Sequence, residues 1–183
     1  MSNRFTEKAE KALNNSAHIA ESLGHTYIGS EQVLLSIANE SDSAAALILS
    51  KNGVNYEKLI NTVKEYSGIG TKSVLSPKDM TPRCRRIVEN SYRISVRYGA
   101  LNIGTEHILL SIMEEKDSIA MKILALTGID TVNINDQLIT LLRTAEKHFE
   151  NPKLKVLEYG LVEDVVESIV DETNLTVGVQ YYP

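Results

Sequence analysis

Cysteine is nearly absent from this 183-residue sequence, in which Cys84 is the single example. A disulfide within the chain and a cysteine-based zinc site are therefore excluded, and a reducing compartment is expected. Long hydrophobic runs are also missing, since no uninterrupted apolar segment approaches the ~20 residues that a membrane-spanning helix requires. The N-terminus lacks the charged and then apolar pattern of a signal peptide. We therefore expect a cytoplasmic protein without a membrane partner.

An excess of positive charge is missing as well. The formal net charge is −5, and it is unevenly distributed along the chain. Residues 150–183 carry seven acidic side chains and two lysines, whereas residues 1–149 carry 17 side chains of each sign. Nothing in this distribution resembles the basic footprint of a nucleic-acid-binding protein. We therefore expect no nucleic-acid partner.

Catalytic motifs are missing too. The histidines are scattered along the chain and show no metal-ligand spacing such as H-E-x-x-H. Cys84 falls on the apolar stripe of a predicted helix, which favours a buried structural thiol over a nucleophile. We predict that the protein is not an enzyme and has no catalytic residue, metal site or cofactor. The histidines are His18, His25, His107 and His148.

A glycine-rich segment at residues 68–72 hints at a phosphate-binding loop. It reads GIGTK, lacks the G-x-x-x-x-G-K-[ST] spacing, and is followed by a Ser-Pro sequence rather than by a helix. A flexible linker is the better interpretation, and we predict one over residues 67–79.

What the sequence does contain is an internal repeat. Residues 5–55 align with residues 80–130 without a gap, and 19 of the 51 positions are identical. This identity is too high to come from shared helix propensity alone. The segment IGSEQVLL at 28–35, for example, matches IGTEHILL at 103–110. The repeat indicates a duplicated half-domain, in which any site in one half should have a twin in the other.

Each copy is predicted to form four short helices, because apolar residues recur at steps of three and four. Thr6 and Thr81 are placed to cap the first helices, and Gly24 and Gly99 to end them. The second helix of each copy is apolar nearly all round, so we expect it to be central and buried. The predicted fold class is all-α, with two tandem four-helix repeats related by pseudo-twofold symmetry.

The predicted domain organisation follows from these patterns. Residues 1–149 form one double-repeat domain, with repeat 1 at about 3–66 and repeat 2 at about 80–148. The acidic extension, residues 150–183, contains apolar residues at helical spacing, and residues 175–181 alternate like a strand. The apolar positions Leu154, Leu157, Leu161, Val165 and Ile169 indicate an acidic amphipathic helix that Gly160 interrupts, and the fold of the extension stays open.

The strongest candidate site consists of residues that the duplication repeats: Thr6 with Glu31, and Thr81 with Glu106. Each threonine begins a helix, where free N–H groups and the positive end of the dipole attract an anion. Each glutamate could bind a guanidinium through both of its oxygens. The alternative is that the threonines only cap their helices and the glutamates only stabilise their own helix ends.

At these residues the chain resembles the N-terminal domain of the Clp (Hsp100) unfoldases, and most of all the ClpC branch. The matching segments are RFTEKA at 4–9, LGH at 23–25, and the two copies at 28–35 and 103–110. The resemblance covers residues 2–148. The presence of two copies at the spacing of that family makes the match more specific than a single motif.

The resemblance implies an all-helical double repeat that serves as a docking platform. Such domains receive adaptor proteins and substrates for an ATP-driven hexamer that feeds the ClpP peptidase. In the ClpC branch they also recognise phosphoarginine, which marks proteins for degradation. The matching positions here are Glu31 and Glu106 for the guanidinium, with the helix starts at Thr6 and Thr81 near the phosphate.

Two functional hypotheses remain open at this point. The first is a recognition domain that binds phosphoarginine-marked proteins or adaptors at two equivalent sites for a ClpC-like machine. The second is a free-standing regulatory protein that modulates substrate recruitment to a Clp protease. No ATPase module is present in the sequence, so a downstream Walker motif would favour the first hypothesis.

Overall fold

A computed structural model describes residues 4–150, which form eight α-helices and one short 3₁₀ helix at Pro77–Asp79. The predicted all-α fold of two four-helix repeats is confirmed. The helix and the strand expected after residue 150 lie outside the described residues. Repeat 1 contains α1 (Glu7–Ser22), α2 (Ser30–Asn39), α3 (Ala44–Lys51) and α4 (Tyr56–Ser67). Repeat 2 contains α5 (Pro82–Arg97), α6 (Thr105–Glu114), α7 (Ile119–Leu126) and α8 (Thr131–Glu150).

The first helix of each repeat begins and ends where the sequence predicts. The Thr6 hydroxyl accepts a hydrogen bond from the Ala9 N–H at 3.2 Å, and Thr81 caps α5 in the same way. Both caps satisfy a backbone donor that has no partner within the helix. Gly24 and Gly99 follow the helix ends with φ of 70° and 68°, a conformation that residues with a Cβ rarely adopt.

The second helix of each repeat forms the centre of the core. Residues 30–37 of α2 are all buried, and so is most of α6, as the nearly uniform apolar character predicts. A serine in the middle of each of these helices bonds to the preceding helix. Ser36 Oγ donates to the Ala12 carbonyl at 2.5 Å, and its twin Ser111 donates to the Ile87 carbonyl at 2.6 Å. These twin bonds hold α1 on α2 and α5 on α6.

The two repeats are interlocked rather than placed side by side. Helix α3 of repeat 1 packs against α6 and α8, and helix α7 of repeat 2 packs against α2 and α4. The Ala45 N–H in α3 donates to the Thr105 hydroxyl at 3.3 Å, and the Ala120 N–H in α7 donates to the Ser30 hydroxyl at 3.0 Å. Each of these hydroxyls therefore satisfies a helix start in the other repeat. The N-cap residues of α2 and α6 are Gly29 and Gly104.

The segment between the repeats is attached to the end of α1, which differs from the flexible linker that we predict. The Gly70 N–H donates to the Leu23 carbonyl at 2.9 Å, and Ser73 Oγ donates to the His25 carbonyl at 2.6 Å. Gly70 lies so close to Gly24 that a Cβ on either residue would collide with backbone atoms of the other. Glycine is thus required here for close approach rather than for flexibility.

No single helix within residues 4–150 is long and apolar enough to cross a membrane. Helices α2 and α3, which meet at 89°, pass the length and composition test only as a pair.

The exchange of hydroxyls between repeats gives a stability prediction. Thr105→Val keeps the side-chain shape but leaves the buried Ala45 N–H without an acceptor, so it should cost about 1–3 kcal/mol. Ser30→Ala should have a comparable effect through Ala120. Urea unfolding followed by circular dichroism measures both changes. Thr105→Ser, which retains the hydroxyl, is the matched control, and a Thr105→Val variant as stable as this control would contradict the prediction.

Candidate functional site

The start of α1 lies beside the segment that enters α6. The Thr6 N–H donates to the Ile103 carbonyl at 2.8 Å, and the Ile103 N–H donates to the Arg4 carbonyl at 2.6 Å. Phe5 and Ile103 thereby form a short parallel bridge. Ile103 is three residues before Glu106, so the structure brings the Thr6 helix start to the α6 entry that carries Glu106.

The same arrangement recurs with the two repeats exchanged. The Ile28 N–H donates to the Asp79 carbonyl at 3.0 Å, and the Thr81 N–H donates to the Ile28 carbonyl at 3.0 Å. Ile28 is three residues before Glu31. The structure therefore associates Thr81 with Glu31 and Thr6 with Glu106, and the pairing within each repeat that we hypothesise from the sequence is wrong. Alignment shows which residues are equivalent, but it does not show which copy each of them contacts.

The Glu31 carboxyl group is fully buried. The exposed fraction of the residue is 0%, and no hydrogen bond of good geometry reaches either carboxyl oxygen within the described part of the chain. Burial raises the pKa of Glu31 above its usual 4.5, and the opposing effects of its own N–H, His25, Gln32 and Tyr27 do not offset it. Isolating a carboxylate from water disfavours its charged form.

Glu31 also lies near the first turn of α5. After burial, the charge of Glu31 is the second cause that raises the pKa of the Cys84 thiol to about 12. Cys84 is itself 0% exposed, so the expected buried structural thiol is present. A thiol with this pKa is not ionised near neutral pH and is a poor nucleophile.

Glu106 occupies the twin position but is accessible. Its side chain is 23% exposed, and its Oε1 lies 3.7 Å from Nδ1 of His107. Both glutamates fold back over the glycine two residues before them. A Cβ on Gly29 would lie 2.5 Å from Glu31 Oε2, and a Cβ on Gly104 would lie 2.5 Å from Glu106 Oε2. The absence of a side chain on these glycines makes room for the carboxyl groups. The two environments therefore differ in exposure although their local geometry is shared.

In repeat 1 a chain of hydrogen bonds supports the start of α2. Gln32 Oε1 accepts from the Gly29 N–H at 2.7 Å, and Gln32 Nε2 donates to His25 Nδ1 at 2.7 Å. Because His25 Nδ1 accepts, the ring proton is on Nε2, which donates to the Gly68 carbonyl at 2.9 Å. The glutamate site at Glu31 is thus connected to the segment between the repeats.

In repeat 2 this chain is broken. His107 Nδ1 accepts from the Gly104 N–H at 2.8 Å, but its buried Nε2 has no hydrogen-bond partner within residues 4–150. Ala100 stands where repeat 1 has His25, so nothing equivalent can accept from this nitrogen. Burial lowers the pKa of His107 below its usual 6.5, and the Glu106 carboxylate offsets this only in part.

The two sites present groups that can bind a charged ligand. Among the described residues no group of three or more His, Cys, Asp or Glu side chains could hold a metal ion. What each site offers is a helix start, whose N–H groups attract an anion, beside a glutamate carboxyl group. The roles of Gly29 and Gly104 do not follow from the helical pattern, although the spacing G-x-E, present in both copies, is a signal for them.

Comparison with known proteins identifies the relatives of the chain. The family described as the Clp repeat (R) N-terminal domain matches residues 4–127 and 79–156. A ClpA homolog of Guillardia theta is 35% identical over 156 residues, which are 85% of this chain and 19% of that protein. The chloroplastic chaperone ClpC of Pisum sativum is 34% identical over 142 residues, which are 78% of this chain and 15% of that protein. The chain therefore spans less than a fifth of the length of these relatives.

Solved structures share the fold. The N-terminal domain of ClpD from Arabidopsis thaliana has a TM-score of 0.66 at 22% identity, covering 78% of this chain and 97% of that one. The ClpV N-domain in complex with a VipB peptide has a TM-score of 0.59 at 17% identity, covering 76% of this chain and 87% of that one. At these identities the likeness concerns the fold alone.

The burial of Glu31 gives a pH prediction. Between pH 4.5 and the raised pKa, the folded protein holds a proton that the unfolded chain has lost, so stability falls as the pH rises through this window. Glu31→Gln should remove this fall and raise the free energy of unfolding at pH 7 by on the order of 1 kcal/mol. Glu106→Gln, at the accessible twin, should change it by less than about 0.5 kcal/mol. Equal effects of the two variants in urea unfolding between pH 4 and 8 would contradict the assignment.

His107 gives a prediction of opposite sign. Because its folded pKa is lowered, the unfolded chain takes up a proton first, and stability should be lost as the pH falls below 6.5. In His107→Gln the amide oxygen can accept from the Gly104 N–H, as Gln32 does in repeat 1. This variant should therefore keep its stability at pH 7.5 and lose less of it at pH 5 than the parent. Identical unfolding curves for variant and parent at pH 5 would rule this role out.

Proposed function

Because the chain belongs to the Clp repeat N-terminal domain family, we propose that it is a non-catalytic recognition domain for proteins marked by phosphoarginine. In this proposal it receives marked substrates or adaptor proteins on behalf of a Clp ATPase ring, which passes them to the ClpP peptidase. The chain spans 15–19% of the length of the two relatives compared above, and in this proposal the ATP-driven step is carried out by the Clp ATPase ring.

The observation that carries this proposal is the exchange of partners between the repeats. Phosphoarginine presents a dianionic phosphoryl group attached directly to a guanidinium, so its recognition needs hydrogen-bond donors and a carboxylate close together. The Thr6 end of α1 beside Glu106, and the Thr81 end of α5 beside Glu31, each offer both groups. A carboxylate binds a guanidinium through two parallel hydrogen bonds, and a helix start binds a phosphate through its N–H groups.

The difference in burial ranks the two sites. The Glu106 side chain is 23% exposed, so a ligand can reach the Thr6/Glu106 site directly. Glu31 is 0% exposed, so the Thr81/Glu31 site must open before a guanidinium can bind. The cost of opening reduces the apparent affinity by the fraction of molecules that are open. In this proposal the two sites share one chemistry but bind with unequal affinity.

The ClpV N-domain, which binds a VipB peptide in its structure, shares this fold and supports a protein-recognition role. A peptide that carries phosphoarginine is therefore a suitable probe beside the free amino acid.

Titration calorimetry tests the proposal. Free phosphoarginine should bind in two phases, whereas arginine and phosphoserine should bind far more weakly because each lacks one of the two groups. Glu106→Ala should weaken the tighter phase by about tenfold or more, since a hydrogen bond to a charged group contributes about 1.5–3 kcal/mol. Glu31→Ala should affect only the weaker phase.

Two results would contradict this function. One is the absence of heat on adding phosphoarginine to a folded protein. The other is unchanged binding in the Glu31→Ala/Glu106→Ala double variant, with circular dichroism as the control for folding.

A further inference from the structure

The outer face of α5 exposes apolar side chains among arginines. Tyr92 is 46% exposed and Val96 is 59% exposed, and they lie one helical turn apart. The guanidinium of Arg4 lies 5.1 Å from the centre of the Tyr92 ring, and the ring is still half exposed. Arg85 and Arg93 are exposed on the same side of the helix. We call this surface, made of Arg85, Tyr92, Arg93 and Val96, the α5 face.

The duplication shows what covers the corresponding surface in repeat 1. Val96 corresponds to Glu21, whose Oε1 accepts from the Leu75 N–H at 2.8 Å. Gly99 corresponds to Gly24, against which Gly70 packs. Glu21, the counterpart of Val96, is therefore bonded to the chain segment that follows the fourth helix of its repeat. His18, the counterpart of Arg93, has a side chain that is 76% exposed.

The equivalent segment in repeat 2 is the chain that follows α8. Leu59 corresponds to Leu138, so Ser67, the last residue of α4, corresponds to residue 146, and α8 runs four residues farther, to Glu150. Four helical residues add about 6 Å. Two residues of extended chain, which span ~3.3 Å each, are enough to offset this extra helix length. The chain after residue 150 can therefore reach the α5 face by the route that the segment between the repeats takes to α1.

The charges agree with this placement in both repeats. Helix α1 has three acidic and two basic side chains, and the segment 67–79 that contacts it has two lysines and one aspartate. Helix α5 has five arginines and one glutamate, while residues 151–183 have six acidic side chains and two lysines. Three of the arginines pair with Glu114 or Glu115, and Arg85 and Arg93 lie on the α5 face. The net charge of each helix is therefore opposite in sign to the net charge of the segment that follows its repeat. Both net charges are larger in repeat 2. Opposite charge patterns favour association and select against wrong partners.

We propose that residues 154–167 of this chain dock on the α5 face, as the segment between the repeats docks on α1. Apolar residues at helical spacing cover Tyr92 and Val96, while acidic residues between them face Arg85 and Arg93. The docking surface is independent of phosphoarginine recognition and makes the extension part of the domain. The apolar residues are Leu154, Leu157, Leu161 and Val165, and the acidic ones, which flank this stripe at helical spacing, are Glu158 and Asp164.

Thiol labelling of the full chain tests this docking. Native Cys84 is 0% exposed, and its pKa is raised to about 12, so it gives a low background. Val96→Cys places a reactive thiol in the α5 face, and Val132→Cys, at a site 69% exposed on α8, is the matched control. Each is combined with Leu157→Ser/Leu161→Ser, or with the charge reversal Glu158→Lys/Asp164→Lys.

With one molecule in ten undocked, docking should slow the labelling of the Val96→Cys thiol by about tenfold. The comparison is the same protein with Leu157→Ser/Leu161→Ser, in which the extension does not dock. The charge reversal should restore part of the rate, and the labelling rate of the Val132→Cys control should not respond to either change. The proposal is overturned if the Val96→Cys thiol reacts equally fast with and without the extension substitutions. It is also overturned if dilution removes the protection, because the occupant would then be a second copy of the chain.

Discussion

The structure depends on a simple requirement, that the backbone N–H groups at helix starts find acceptors. In this protein many of those acceptors come from the opposite repeat. Thr105 and Ser30 accept from the starts of α3 and α7, and the stretches of backbone before α1 and α5 bond to the segments before α6 and α2. A buried donor without an acceptor costs more than an ordinary hydrogen bond contributes. The repeats are therefore held in one relative position, and this position brings each threonine helix start beside the glutamate of the other copy.

Duplication supplies two sites with the same geometry, and a few substitutions then make them different. Gln32 can bond at both ends of its amide, to Gly29 and to His25, so the start of α2 is connected to the segment between the repeats. His107 makes the first of these bonds, and Ala100 removes the partner for the second. The two sites also differ in exposure, because Glu31 is 0% exposed and the Glu106 side chain is 23% exposed. Local sequence identity thus preserves the backbone arrangement while neighbouring residues set the electrostatics.

Much of the fold could be predicted from the sequence because its signals are local. The caps at Thr6 and Thr81 and the glycine after each first helix depend on residues within one or two turns. The buried second helices follow from their apolar character. The site could be predicted only as a set of residue types. Thr6 lies beside a segment about 100 residues farther along the chain, and Thr81 lies beside a segment about 50 residues before it. No pattern within one repeat encodes these contacts. The proximity of Glu31 to Cys84 in the first turn of α5 likewise joins residues that are far apart in the chain.

The exchange of acceptors between the repeats also bears on how such a protein could arise. A single four-helix unit on its own would lack the hydroxyl acceptor for Ala45 or Ala120, and it would expose the central helix that the other unit covers. Two copies of that unit could complete each other in a reciprocal manner, since an isologous contact uses the same surface on both partners. The present chain has the form of such a homodimer joined by a tether. Covalent joining freed each half to change independently, which a symmetric dimer encoded by one sequence cannot do.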